Sequence, residues 1–260
     1  MGWDYTKTKN SVTLKNPIFI SGLPGIGNVG KIVADFLVDE LKAKKIITFN
    51  TYNMPNSVIV NEKNLIELPS IDIYSKKIKN NDLMILTGNY QPINEISSFE
   101  FCEIILDILK DMKSEQIITL GGIGLREIPK DPKIYITGNI KKEIMEYKKG
   151  TKLNNKVYGV VGPIMGVTGI LTAMAKKRKI SAISILGETL GHPLYFGLKP
   201  ARKILSVLNK KHNLKVKLTK IDKEIKEIDS MMKGNKSFEA LKEKPELKKF
   251  TKYSDMNYIG

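Results

Sequence analysis

Cysteine occurs once and histidine twice in the 260 residues, and arginine stands only at positions 126, 178 and 202. A single thiol excludes an internal disulfide, and one cysteine with two histidines is too few for a zinc site of the usual ligand spacing. The scarcity of arginine removes the bidentate forks that read base edges. The formal charge of +16 is therefore read as a lysine bias spread over helices and turns, and nucleic acid is not the expected partner. The densest basic run, Lys176, Lys177, Arg178 and Lys179, reads as a solvated helix end favoured by the dipole. No stretch approaches the roughly 20 apolar residues of a membrane span. The N-terminus, with Trp3, Asp4 and several lysines, has no apolar signal-peptide core, so a cytoplasmic location and no membrane partner are expected.

What the chain has is glycine in particular places. Ile18-Phe-Ile-Ser-Gly-Leu-Pro-Gly-Ile-Gly-Asn-Val-Gly-Lys31 reads as a strand end, a glycine-rich turn and a helix start. Gly25, Gly27 and Gly30 spell G-x-G-x-x-G, and Gly25 to Lys31 spells G-x-x-x-x-G-K. Each pattern lacks its completing residue. Position 32 is Ile where a phosphate loop needs Ser or Thr for magnesium, and the second strand ends in Asn50 where a dinucleotide site wants an acid for the ribose.

Short apolar runs at Ile18 to Ser21, Lys45 to Phe49, Leu83 to Thr87, Gln116 to Leu120, Val157 to Val161 and Ile180 to Leu186 are expected to be buried strands. Helical periodicity occupies Val29 to Lys42, Phe99 to Met112, Gly169 to Lys177 and Pro200 to Lys211. The alternation predicts an α/β fold of three layers, α/β/α, around a mostly parallel sheet. Ser57 to Ile73 is expected to add a hairpin to a sheet edge. Residues 1–15 are read as a loose arm, 16–213 as the core domain, 214–232 as an amphipathic helix and 233–260 as a mobile C-terminal tail. In the helix, Leu218, Ile221, Ile225, Ile228 and Met232 share a face, with Thr219 and Asp222 as a capping box. It could pair in an oligomer or pack back onto its own domain. Gly22, Gly88, Gly121 with Gly122, Gly162 and Gly187 are expected to follow strands and to line one rim, where open α/β sheets form crevices.

Candidates for catalysis are scarce. His192 follows a strand end near Glu188 and Thr189 and could act as a base oriented by the carboxylate, but no nucleophile is marked, and Glu188 is better read as capping loop amides. Cys102 lies on the apolar face of its helix and reads as an inert buried thiol. Asp131 sits in a turn that its flanking prolines explain.

Four motifs together carry a family likeness: Leu23-Pro-Gly-Ile-Gly-Asn-Val-Gly30, Leu120-Gly-Gly-Ile-Gly124, Gly166-Val-Thr-Gly-Ile-Leu171 and Gly187-Glu-Thr189. In this order, over about residues 15 to 232, the chain resembles the proteasome assembly chaperone family in its archaeal form. The resemblance implies a nucleoside-phosphorylase-like fold, no catalytic activity, no cofactor, homo-oligomers and binding to proteasome α subunits. It also implies a docking tail that ends hydrophobic-Tyr-any. Here the end is Met256-Asn-Tyr-Ile-Gly260, so Met256, Tyr258, Ile259 and Gly260 are the partner-binding residues, with Tyr258 third from the end instead of second. The glycine-rich rim of Gly25, Gly27, Asn28, Gly30, Gly122, Gly124 and Glu188 is the candidate ligand site. The alternative reading is a nucleotide- or nucleoside-using transferase or ligase whose Gly25 to Lys31 segment cradles phosphate, with Lys31 as countercharge.

Overall fold

Strands whose two faces are both covered read as nearly continuous apolar runs, and Ile18–Ser21, buried throughout with Ser21 its one polar residue, is such a strand at the centre of the sheet. The computed structural model describes residues 2–8, 13–61, 63–79, 82–159, 162–193 and 195–233. Its strands are β1 (Asp4–Lys7), β2 (Ile18–Ser21), β3 (Lys44–Asn50), β4 (Ile59–Val60), β5 (Ile66–Glu67), β6 (Ile71–Lys76), β7 (Leu83–Gly88), β8 (Gln116–Leu125), β9 (Ile134–Gly138) and β10 (Ser181–Leu190). The helices are α1 (Val29–Leu41), α2 (Glu95–Asp111), α3 (Lys141–Lys148), α4 (Gly166–Met174), α5 (Leu198–His212) and α6 (Thr219–Lys233).

Eight strands form the main sheet in the order β1-β3-β6-β7-β2-β8-β10-β9. The central run β7-β2-β8-β10 is parallel, while β1, β6 and β9 run against their neighbours, so β2, β3, β7, β8 and β10 all point one way. One face carries a core contributed by α1, α5 and α6 together with Tyr147 of α3. The other carries α2 and α4, which bury Phe101, Cys102, Ile105 and Leu171 completely. Each such side chain contributes about 2 kcal/mol of transfer free energy. A triangle of hydroxyls fixes α4 to the sheet: Thr119, Thr172 and Ser184 lie 2.8 to 2.9 Å apart.

Several expectations are corrected. The arm of residues 1–15 is partly ordered: β1 pairs with β3, and Trp3 is buried against Phe101, its indole N–H donating to Ser97. Val157–Gly159 form no strand, with Tyr158 fully exposed, because the slot beside β8 is filled directly by β10; residues 160–161 lie outside the described set. The hairpin β4–β5 is a separate two-stranded sheet, and β6 enters the main sheet alone. The strands β8 and β10 run on through Gly121, Gly122 and Gly187, which pair across the ladder instead of following it. The helix read over 214–232 begins at Thr219, after a connector that buries Leu214 and Val216. It packs back on α5, with Ile221 fully buried, Arg202 holding Asp222 at 2.8 Å and Lys199 holding Asp229 at 2.8 Å. The Asp222 carboxylate is an ion-pair partner, and its amide donates to the Leu218 carbonyl at 3.0 Å.

Candidate functional site

The turn after β2 is built by its glycines. Gly27 and Asn28 take left-handed backbone angles, φ +59° and +48°, which reverse the chain into α1. The Asn28 side chain accepts from the Gly25 amide at 3.3 Å, and the Asn28 amide donates to the Gly25 carbonyl at 2.8 Å. This turn lies directly on the ends of β8 and β10. A Cβ on Gly122 would stand 2.1 Å from the Ile26 carbonyl oxygen, one on Gly30 2.5 Å from that of Leu120, and one on Gly27 2.5 Å from the Thr189 hydroxyl. Gly124 lies under the Ile26 side chain, and the Gly197 amide donates to the Gly27 carbonyl at 2.8 Å from above. Gly27, Gly30, Gly122 and Gly124 are thus packed around this turn, with Gly25 joined to it through Asn28, and the space between them is filled by backbone, Ile26 and Thr189.

Glu188 stands apart from this cluster. Alternation along β10 sends it to the opposite face from Thr189, where its carboxylate accepts from the Lys133 amide at 2.8 Å and the Tyr135 hydroxyl at 3.1 Å. Burial and this bond push the Tyr135 phenol up. The carboxylate that would orient His192 is thus committed to β9 and its approach, in keeping with the loop-capping role read for it. Cys102 is buried, and its desolvated thiol is pushed up to about 12, which makes it inert. Asp131 is held by the Lys203 ammonium, which keeps its carboxyl below the usual range.

Lys31, the proposed countercharge, turns away from the glycine loop. Its ammonium lies 2.7 Å from Asp35, whose second oxygen accepts from the Thr87 hydroxyl at 2.6 Å. This network borders a cavity of about 450 Å³ on the α1 side of β3, β6 and β7. The i,i+4 spacing of Lys31 and Asp35 was a legible signal for the pair; the cavity had none, because its other walls come from β3, β6 and the β4–β5 hairpin.

Gln91 was also missed. Its amide N–H donates to the Pro24 carbonyl while its oxygen accepts from the Val167 amide, tying the first glycine turn to the start of α4. Ile26, Ile93 and Met165, each two residues from a group bonded in this clamp, are 50 %, 59 % and 78 % exposed. The tail residues Met256, Tyr258, Ile259 and Gly260 lie outside the described residues. Among the described residues, no helix is long and apolar enough to cross a membrane.

Comparison with known proteins places these features in context. The sequence profile of the PAC2 family matches residues 19–234. An uncharacterized protein of Methanocaldococcus jannaschii is 28% identical over 254 residues, covering 98% of this chain and 96% of its own. The crystal structure of Pyrococcus furiosus PbaB, an archaeal proteasome activator, superposes with a TM-score of 0.82 at 30% identity, covering 90% of this chain and 98% of that one. Pyrococcus furiosus PbaA, an archaeal homolog of proteasome-assembly chaperone, gives a TM-score of 0.74 at 26% identity, covering 90% of this chain and 91% of its own.

Proposed function

The chain belongs to the PAC2 family, and from that premise we propose that it is a non-catalytic cytoplasmic protein that binds proteasome α subunits, as an assembly chaperone or as a proteasome-binding protein, and that it self-associates. The observation that carries this reading is the likeness in sequence and fold to an archaeal proteasome activator, at 30% identity and a TM-score of 0.82. Two features of the site support it. Gly27 and Gly30, which would cradle phosphate, are spent on close packing against Thr189 and Leu120, with Lys31 paired to Asp35, and Ile26, Ile93 and Met165 each stand at least half exposed as candidate apolar contacts.

The tail supplies the docking element in this reading. Tyr258 offers ring area and a hydroxyl, and Met256 and Ile259 beside Gly260 add apolar contact for a pocket between α subunits. Display of several tails on one oligomer adds avidity without new contacts. The test is capture of purified proteasome α subunits by the full chain and by a chain lacking residues 256–260. Loss or clear weakening on deletion is the expected result. Equal capture removes the tail from the mechanism, and no capture by the full chain overturns the proposal.

A further inference from the structure

The cavity beside α1 has a charge balance opposite to that of the chain. Four carboxylates border it, Asp35 and Asp39 from α1, Asp72 from β6 and Glu67 from β5, against two ammonium groups, Lys31 and Lys45. An excess of two negative charges therefore stands in a protein of net +16. Because screening at physiological salt acts over about 8 Å, a group inside the cavity responds to these neighbours more than to the distant lysines.

The deep carboxylate is built to hold an ammonium. Asp72 is buried, and hydroxyls from Thr48 at 2.7 Å and Ser70 at 2.9 Å fix its orientation. Its charge partner is Lys45, 3.0 Å away, whose Nζ also lies 5.9 Å from the centre of the Tyr74 ring. The two partners differ in freedom: the Asp72 side chain is 8% exposed and the Lys45 side chain 43%. Lys45 is thus a tethered occupant that can swing out to water, leaving a fixed carboxylate and an aromatic face. Val38, Ile59 and Leu68 supply apolar wall, while Asp39 and Glu67 stand exposed at the mouth.

We infer that this cavity binds a small organic cation, an alkyl-ammonium or alkyl-guanidinium, whose charged head displaces Lys45 from Asp72 and whose stem lies along Val38, Ile59 and Leu68. The recognised chemistry is a stretched apolar stem with a positive end, and a second positive group is met by Asp39 and Glu67. A free polyamine and a lysine or arginine side chain of another polypeptide share that chemistry. This inference is independent of the proteasome reading.

The experiment is calorimetric titration of the full chain with spermidine and, separately, with a short capped peptide containing two lysines. Binding should weaken roughly tenfold in Asp39→Asn/Glu67→Gln, a surface variant that leaves the core untouched. Lys45→Ala removes the competing occupant and should tighten binding several-fold, whereas Lys110→Ala, an exposed lysine on α2, should leave it unchanged. Binding of spermidine alone upholds the site as one for free cations; binding of the peptide alone upholds it as one for a polypeptide side chain. No heat from either probe up to about 10 mM, or equal effects of Lys45→Ala and Lys110→Ala, overturns the inference.

Discussion

Replacing Gly122 by Ala is the sharpest test of whether the glycine motifs serve packing. The added methyl would sit 2.1 Å from the Ile26 carbonyl oxygen and 3.1 Å from Thr189 Cγ2. An ordinary contact needs well over 3 Å, and the first obstacle is backbone, so the turn from Gly25 to Asn28 must lift off β8. Overpacking of this kind costs about 1–3 kcal/mol, and the backbone obstacle puts the expected cost at the upper end. For a domain of this size each kcal/mol lowers Tm by about 2–4 °C, so a fall of about 4–10 °C is expected. Gly25→Ala is the internal control. Gly25 has an extended backbone that any residue adopts, and its added methyl would meet only Gln91 Nε2 at 3.6 Å. Although Gly25 opens both phosphate-binding patterns, its substitution should change stability by no more than about 0.5 kcal/mol. Thermal melts followed by circular dichroism, with urea unfolding as a check, compare the two. A Gly122→Ala protein melting with its parent would refute the packing argument.

Lys31→Ala should destabilise by about 2 kcal/mol, since it strands Asp35 beside Thr87; the heat of an ATP titration should not change, and micromolar ATP binding lost in this variant would restore the phosphate-loop reading. His212 is half-buried beside Tyr147 at 2.9 Å, and desolvation together with Lys211 depresses its pKa from 6.5 to about 4. The unfolded chain then takes up a proton that the folded one refuses, so stability should decline as pH falls from 6.5 to about 4, by at most about 3 kcal/mol, and His212→Gln should flatten that part of a urea-midpoint profile. Trp3→Ala removes a ring packed 4.4 Å from Phe101 and a buried indole bond, and should cost about 3 kcal/mol in chemical denaturation.

The parts of the fold that were legible share one physical property. The strands β2, β3, β7, β8 and β10 all point the same way, and four of them form the parallel centre, where burial on both faces forces continuous apolar runs. The antiparallel members escaped or were misplaced. Residues 4–7 of β1 are exposed or half-buried and carry lysine, and β6 mixes Asp72 and Tyr74 with its isoleucines because the face it turns towards α1 opens on the cavity. α3, Lys-Lys-Glu-Ile-Met-Glu-Tyr-Lys, buries only Tyr147, so its periodicity is too faint to read. At the site, Gly30 and Gly122 are legible because each marks a close backbone approach. What fills the space between them was not visible, since Thr189 and Gln91 act through contacts some 70 to 160 residues away along the chain.

The borders of the main sheet bear on the proposed self-association. β9 is bonded on its far side by Asn154, whose amide and carbonyl serve Ile134 and Ile136, and β1 contributes four residues at the other border. β9 is thus partly capped and β1 is short, so in the self-association proposed above a neighbour finds little ladder to extend, and contact between copies would fall to side chains on loops and helices.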